Sequence, residues 1–184
     1  MIGWIILLLL AAFVAVLLIR AAAFKPAAKP AVAKADYPVD EAAATARFQQ
    51  LIRFPTVSHM DETLEDAKAF TDLQAYLTTA YPQVTAACPR EIIGRRGMLY
   101  RWAGKSSEKP SVLMAHYDVV PVEEDEWQQP PFSGIIKDGE LWGRGTLDTK
   151  GTMHGILEAA EMLISQGFVP ENDVYFAFGG DEEI

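Results

Sequence analysis

Residues 39–184 predict an α/β fold, a mostly parallel sheet flanked by helices, preceded by one transmembrane helix. Three observations carry that expectation. Apolar residues recur at helical spacing in some stretches and as short, near-continuous runs in others, and the two kinds alternate along the chain. Half of the 184 residues are hydrophobic, enough to bury a core in one domain. The run Ile2–Ile19, "IGWIILLLLAAFVAVLLI", contains no charge.

As a helix, about 18 residues rise roughly 27 Å, close to the thickness of a bilayer hydrocarbon core. Residues 1–20 therefore read as a single-pass anchor or signal-anchor. A cleaved signal peptide is the alternative, but no Lys or Arg precedes the run, which exceeds a usual signal-peptide core. The positive flank follows it at Arg20, Lys25, Lys29 and Lys34, which favours a cytoplasmic C-terminal side. A large translocated domain can override that bias, so the side of the membrane stays open. Residues 21–38, "AAAFKPAAKPAVAKADYP", lack periodicity and read as an Ala/Pro/Lys spacer.

The helices follow. "VDEAAATARFQQLIRF" has an acidic start and helical apolar spacing, and Pro55 ends it. "DETLEDAKAFTDLQAYLTTAYP" places Leu64, Ala67, Phe70, Leu73 and Leu77 on one stripe and stops at Pro82. "TMHGILEAAEMLISQGF" is a third helix, closed by Gly167. "RGMLYRWAG", "PSVLMAHYDVVP" and "DVYFAFGG" read as strands, the last two as buried ones.

Composition narrows the function. A net charge of −9 argues against nucleic acid as a partner. The single cysteine, Cys88, cannot form an internal disulfide and reads as a structural thiol. No Cys/His cluster of zinc-finger spacing occurs, nor a nucleophile elbow, a Walker loop or a dinucleotide fingerprint.

Three acid-bearing phrases fall at strand ends or in the loops after them, where α/β sheets gather their sites. In "HYD", His116 and Asp118 lie two apart, so one could bind a metal while the other orients the ring; a hydrogen-bonded strand-end pair is the plainer alternative. In "GRGTLDTKG", Asp148 could bridge two metals, or Asp148 or Thr149 could simply cap the next helix. Lys150 is expected to make an ion pair or a phosphate-like contact. In "GGDEE", Glu182 and Glu183 can reach one site only if the strand turns, which the glycines allow. One glutamate would then bind metal and the other act as general base. Divalent cations would hold such crowded carboxylates ionised. His59 is placed in a loop at the cleft edge, and His154 as a satisfied core or surface histidine.

Taken in order, "LIRFPTVS", "LMAHYDVVPV", "WQQPPFSGIIKDGELWGRGTLDTKG" and "GGDEEI" resemble the M20 metallopeptidase family, in phrasing closest to its PM20D1 and carboxypeptidase S branch. The resemblance implies a zinc-exopeptidase-like catalytic domain over residues 39–184. It also implies hydrolysis of amide or peptide bonds, as a carboxypeptidase or an N-acyl-amino-acid hydrolase, by water activated between two zinc ions. By motif position, His116 would ligate one metal, supported by Asp118. Asp148 would bridge the two, Glu182 would be the general base, and Glu183 would ligate on its own side. The family pattern adds a later carboxylate, a distal histidine and an inserted dimerisation domain. None occurs in these 184 residues, so the expectation is the N-terminal part of a longer enzyme, incomplete alone, whose full-length form could be a homodimer. The alternative is a non-catalytic, membrane-tethered remnant or binding domain.

Overall fold

The computed structural model describes residues 2–26, 37 and 39–184. The chain divides into two units at the Tyr37/Pro38 boundary. The first contains helix α1 (Ile2–Ala23), whose residues are exposed on every side and which is long and apolar enough to cross a membrane. It runs three residues beyond the expected anchor boundary of residue 20, because Ala21–Ala23 are good helix formers. The proposed spacer at 27–36 and 38 lies outside the described residues.

In the second unit, helix α2 (Glu41–Ile52) starts where the Asp40 side chain accepts a 3.0 Å hydrogen bond from the Ala43 amide. Asp66 caps α3 (Ala67–Ala80) in the same way. That cap corrects the expected stripe. Phe70, Leu73 and Leu77 are buried, but Ala67 opens the helix at the surface and exposed Leu64 belongs to a separate 3₁₀ turn, Glu62–Leu64. Pro82 then begins the short α4 (Pro82–Ala87), where a missing amide hydrogen costs nothing.

The strands are β1 (Arg90–Ile93), β2 (Gly97–Trp102), β3 (Ser106–His116), the two-residue β4 (Ile136–Lys137) and β5 (Glu140–Leu141), and β6 (Asn172–Gly179). The main sheet has the order β1-β2-β6-β3. It is mixed, not mostly parallel: β2 runs antiparallel to both β1 and β6, and only β3 and β6 are parallel. The cause is local. A three-residue turn at Gly94–Arg96 joins β1 to β2, and so short a link allows only an antiparallel pair. Between β3 and β6 the chain passes through α5 (Lys150–Ser165), which brings it back parallel. A small hairpin, β4–β5, turns at Asp138 and Gly139, both at positive φ, as an Asp-Gly turn favours.

One face of the sheet carries Met98, Tyr100, Trp102, Phe176 and Phe178 into the core, against Phe70, Leu73 and Leu77 of α3 and Met153, Leu157 and Ala160 of α5. Cys88 is buried there, and burial, aided by the charge of Glu161, lifts its thiol to about 11, which keeps it inert. The expectation of a buried β3 is overturned. β3 is an edge strand, and Val112, Leu113 and Met114 are exposed. Its apolar composition and its burial are separate properties. β6 is central and buries Phe176 and Phe178.

Candidate metal centre

The centre forms at the carboxyl ends of the parallel pair. His116 closes β3 opposite Gly179, the last residue of β6. Past β3, the Thr56–Ser58 segment runs beside Tyr117–Val119: the Val119 amide donates to the Thr56 carbonyl, and the Ser58 amide to the Val119 carbonyl. This places the Ser58 hydroxyl 2.8 Å from Asp118 Oδ2, which also accepts from the Glu183 amide at 3.1 Å.

Asp118 is fully buried and lies behind His116. The Asp118 carbonyl is 3.1 Å from His116 Nδ1, and its Oδ1 is 3.4 Å away. With the Asp118 carbonyl accepting the Nδ1 proton, Nε2 keeps its lone pair for a ligand; Asp118 Oδ1 itself is buried without a hydrogen-bond partner among the described residues. Nε2 faces Asp148 Oδ1 at 3.0 Å and Glu182 Oε2 at 3.7 Å. Burial disfavours a charged His116 ring, but the Asp118 carbonyl and the carboxylates of Asp148, Asp118 and Glu182 outweigh it and raise its pKa.

His116, Asp148 and Glu183 each offer one donor atom, and these atoms lie within 4.8 Å of one another. An imidazole nitrogen with two carboxylate oxygens suits a zinc-like divalent ion. Burial, with the charges of Asp148, Asp118 and Glu182 beside it, pushes the Glu183 pKa up, a crowding that such a cation relieves.

Glu182 and Glu183 both reach this point because β6 ends at Gly179 and the chain bends at Gly180. A side chain at Gly180 would not fit: its Cβ would lie 2.7 Å from both Arg96 Cβ and the Tyr117 hydroxyl. Thr149 occupies the N-cap position of α5, but its hydroxyl does not cap the helix. It accepts from the His116 amide at 3.0 Å and donates to the His116 carbonyl at 3.1 Å, tying the Asp148 loop to the end of β3.

The sequence-derived candidates His116, Asp118, Asp148, Glu182 and Glu183 thus meet in one place. His59 contributes its backbone amide to Glu65. His154 Nδ1 lies 2.9 Å from the Tyr81 hydroxyl, in hydrogen-bond contact, and its ring stacks on Phe48, the structural role expected of it. Lys150 differs from expectation: among the described residues it forms no ion pair. Fully buried, it donates to the carbonyls of Leu51 and Phe54 at 3.2 and 2.6 Å, closing the end of α2. Ser58 and Thr149 had only their place in the motif phrases to signal them, and Glu65 and Arg96 had no local signal.

Residues 112–184 match the sequence profile of Peptidase family M20/M25/M40. This segment belongs to that family. Among curated relatives, this chain is 42% identical over 142 residues to "Probable carboxypeptidase S-like 2" of Dictyostelium discoideum, covering 75% of this chain and 27% of that protein. It is 38% identical over 136 residues to "N-fatty-acyl-amino acid synthase/hydrolase PM20D1" of Xenopus tropicalis, covering 72% and 26%. The fold is shared with the M20 family metallo-carboxypeptidase Sso-CP2 of Sulfolobus solfataricus, with a TM-score of 0.62 at 22% identity, over 76% of this chain and 31% of that one. The chain therefore spans about a quarter of the length of these curated relatives.

Lys150 generates a prediction. Burial pulls its pKa from 10.5 down to about 7, with the charge of Asp118 opposing. Between those values the unfolded chain holds a proton that the folded chain has released, so stability rises with pH across that window. Denaturant unfolding in detergent at pH 7 and pH 9 should show this rise in the wild type. Lys150→Met should lose it, and should be less stable at pH 9 by about 1–3 kcal/mol for the stranded carbonyls. Equal pH dependence in both proteins contradicts the assignment.

Proposed function

We propose that this M20 chain carries the water-activating half of a zinc-dependent amide hydrolase that acts on peptides or N-acyl amino acids. The observation that supports this most is the meeting of His116, Asp148 and Glu183 within 4.8 Å, with the Glu182 carboxylate beside them and a buried carboxylate behind the imidazole. His116, Asp148 and Glu183 would hold the metal, Asp148 bridging where two zinc ions bind. Bound zinc would supply Lewis acidity that makes water a nucleophile at neutral pH and polarises the scissile carbonyl.

The chain's own residues do the rest. Asp118 fixes the orientation of the His116 ring through Nδ1 and leaves Nε2 directed at the donor cluster. Ser58 and the Glu183 amide hold the Asp118 carboxylate in turn. Glu182 is mostly exposed and, among the described residues, only approaches His116 Nε2 at 3.7 Å, so its Oε2 can take a proton from the attacking water and deliver it to the leaving amine. The names of the relatives, carboxypeptidase and N-fatty-acyl-amino acid synthase/hydrolase, support an amide linkage next to a free carboxylate as the substrate class.

A second reading is a metal-binding but non-catalytic membrane-tethered domain, since the same three-donor cluster can hold an ion without turnover. Turnover separates the two. Extended to include the carboxylate and histidine that the family pattern places later, the zinc-loaded protein should release free amino acid from an N-acyl amino acid, and a chelator should abolish this. Glu182→Gln should cut kcat by about 10²–10⁴-fold while zinc stays bound near two per chain. Full activity in Glu182→Gln refutes the base, and zinc binding without any turnover favours the second reading.

We also infer that α1 anchors the chain in a bilayer, a reading supported by its 22-residue length and the absence of charge from Ile2 to Ile19. Alkaline carbonate should leave the protein in the membrane pellet, and deletion of residues 2–23 should release it. Recovery of the intact chain in the supernatant would refute the anchor.

A further inference from the structure

Arg96 lies in the β1–β2 turn, outside the donor cluster, yet it touches both segments that bear the candidate ligands. Its carbonyl accepts a 2.7 Å bond from the hydroxyl of Tyr117, the residue between His116 and Asp118. Its guanidinium donates at 3.2 Å to the Gly180 carbonyl, two residues before Glu182. The side chain is buried, with its guanidinium carbon 3.8 Å from the centre of the Phe70 ring.

Glu65 fixes that guanidinium. Arg96 Nη1 is 3.0 Å from Glu65 Oε1, and Nη2 bonds Glu65 Oε2. The Glu65 side chain is 1% exposed, so the pair has left water and depends on being fully bonded. Glu65 Oε1 also accepts the His59 amide at 3.1 Å, next to Ser58, which bonds Asp118. A planar fork reaches a carboxylate and a backbone carbonyl together, whereas a lysine ammonium on its flexible stem would serve them less well.

We propose that Arg96, oriented by Glu65, is a positioning residue that sets the His116–Asp118 segment against the Glu182–Glu183 segment and so determines the affinity of the metal centre. The proposal rests on the metal-binding reading above and adds a determinant that contacts no ligand atom. Removing a group that orients metal ligands typically weakens binding by about 10–100-fold.

The test uses the whole chain in detergent with cobalt(II) as the probe. Arg96→Lys should weaken cobalt binding by about 10–100-fold, change the visible absorption of the bound ion, and speed amide hydrogen exchange over residues 180–183. The control is Arg47→Lys, the same substitution in the Arg47–Glu158 ion pair, where Arg47 Nε and Nη2 each lie 2.6 Å from a carboxylate oxygen. It should leave the absorption spectrum, cobalt affinity and exchange at 180–183 unchanged. If Arg96→Lys does not fold, Glu65→Gln carries the same expectations. Wild-type affinity, spectrum and exchange in the Arg96 variant would overturn the proposal. If the wild type takes up no cobalt, the metal reading itself fails. Exchange at 180–183 then decides the positioning role: faster in the Arg96 variant supports it, unchanged overturns it.

Discussion

The centre is organised around one buried carboxylate. Asp118 has no exposed surface, and an ionised carboxylate taken that far from water is costly unless other groups hold it. Three segments meet at it: Ser58 from the loop after α2 and the Glu183 amide from the bend after β6 both bond Oδ2, and the His116 ring at the end of β3 lies 3.4 Å from Oδ1. Each contact that stabilises the buried charge also fixes a segment carrying candidate chemistry. Folding and site formation are therefore coupled through Asp118. The Glu65–Arg96 pair repeats this arrangement one layer out, with a buried charge whose bonds again end on the backbone of the same loops.

The sheet places these loops together. Parallel pairing of β3 with β6 puts His116 opposite Gly179, so both strands end at one level and their next residues leave on one side. Helix α5 begins beside them, and the Thr149 hydroxyl bonds the backbone of His116 instead of its own helix. Lys150 points the other way, into the fold, and holds the end of α2. Consecutive residues 148, 149 and 150 thus serve a donor cluster, a strand end and a helix end.

What could be read from the sequence follows the range of each interaction. Helices α2, α3 and α5 are set by nearby caps, prolines and apolar spacing, and all three were legible. The candidate ligands were legible because strand-end phrases such as "HYD" and "GGDEE" keep chemistry-bearing residues adjacent. Strand β1 escaped because its four residues are all exposed and give no alternation. The hairpin that makes the sheet mixed went unread with it. Exposure of Val112–Met114 could not be read either, since burial depends on what lies beside a strand, not on its own composition. Lys150 was misassigned because its carbonyl partners, Leu51 and Phe54, are about a hundred residues away.

The central claim is that the imidazole held by Asp118 is a metal ligand. Zinc-edge X-ray absorption on the zinc-loaded chain tests it most directly, comparing wild type with His116→Ala. The wild type should show nitrogen and oxygen neighbours at about 2.0–2.2 Å together with the outer-shell scattering of an imidazole, and the imidazole signal should vanish in the variant. Identical spectra from the two proteins would contradict the claim.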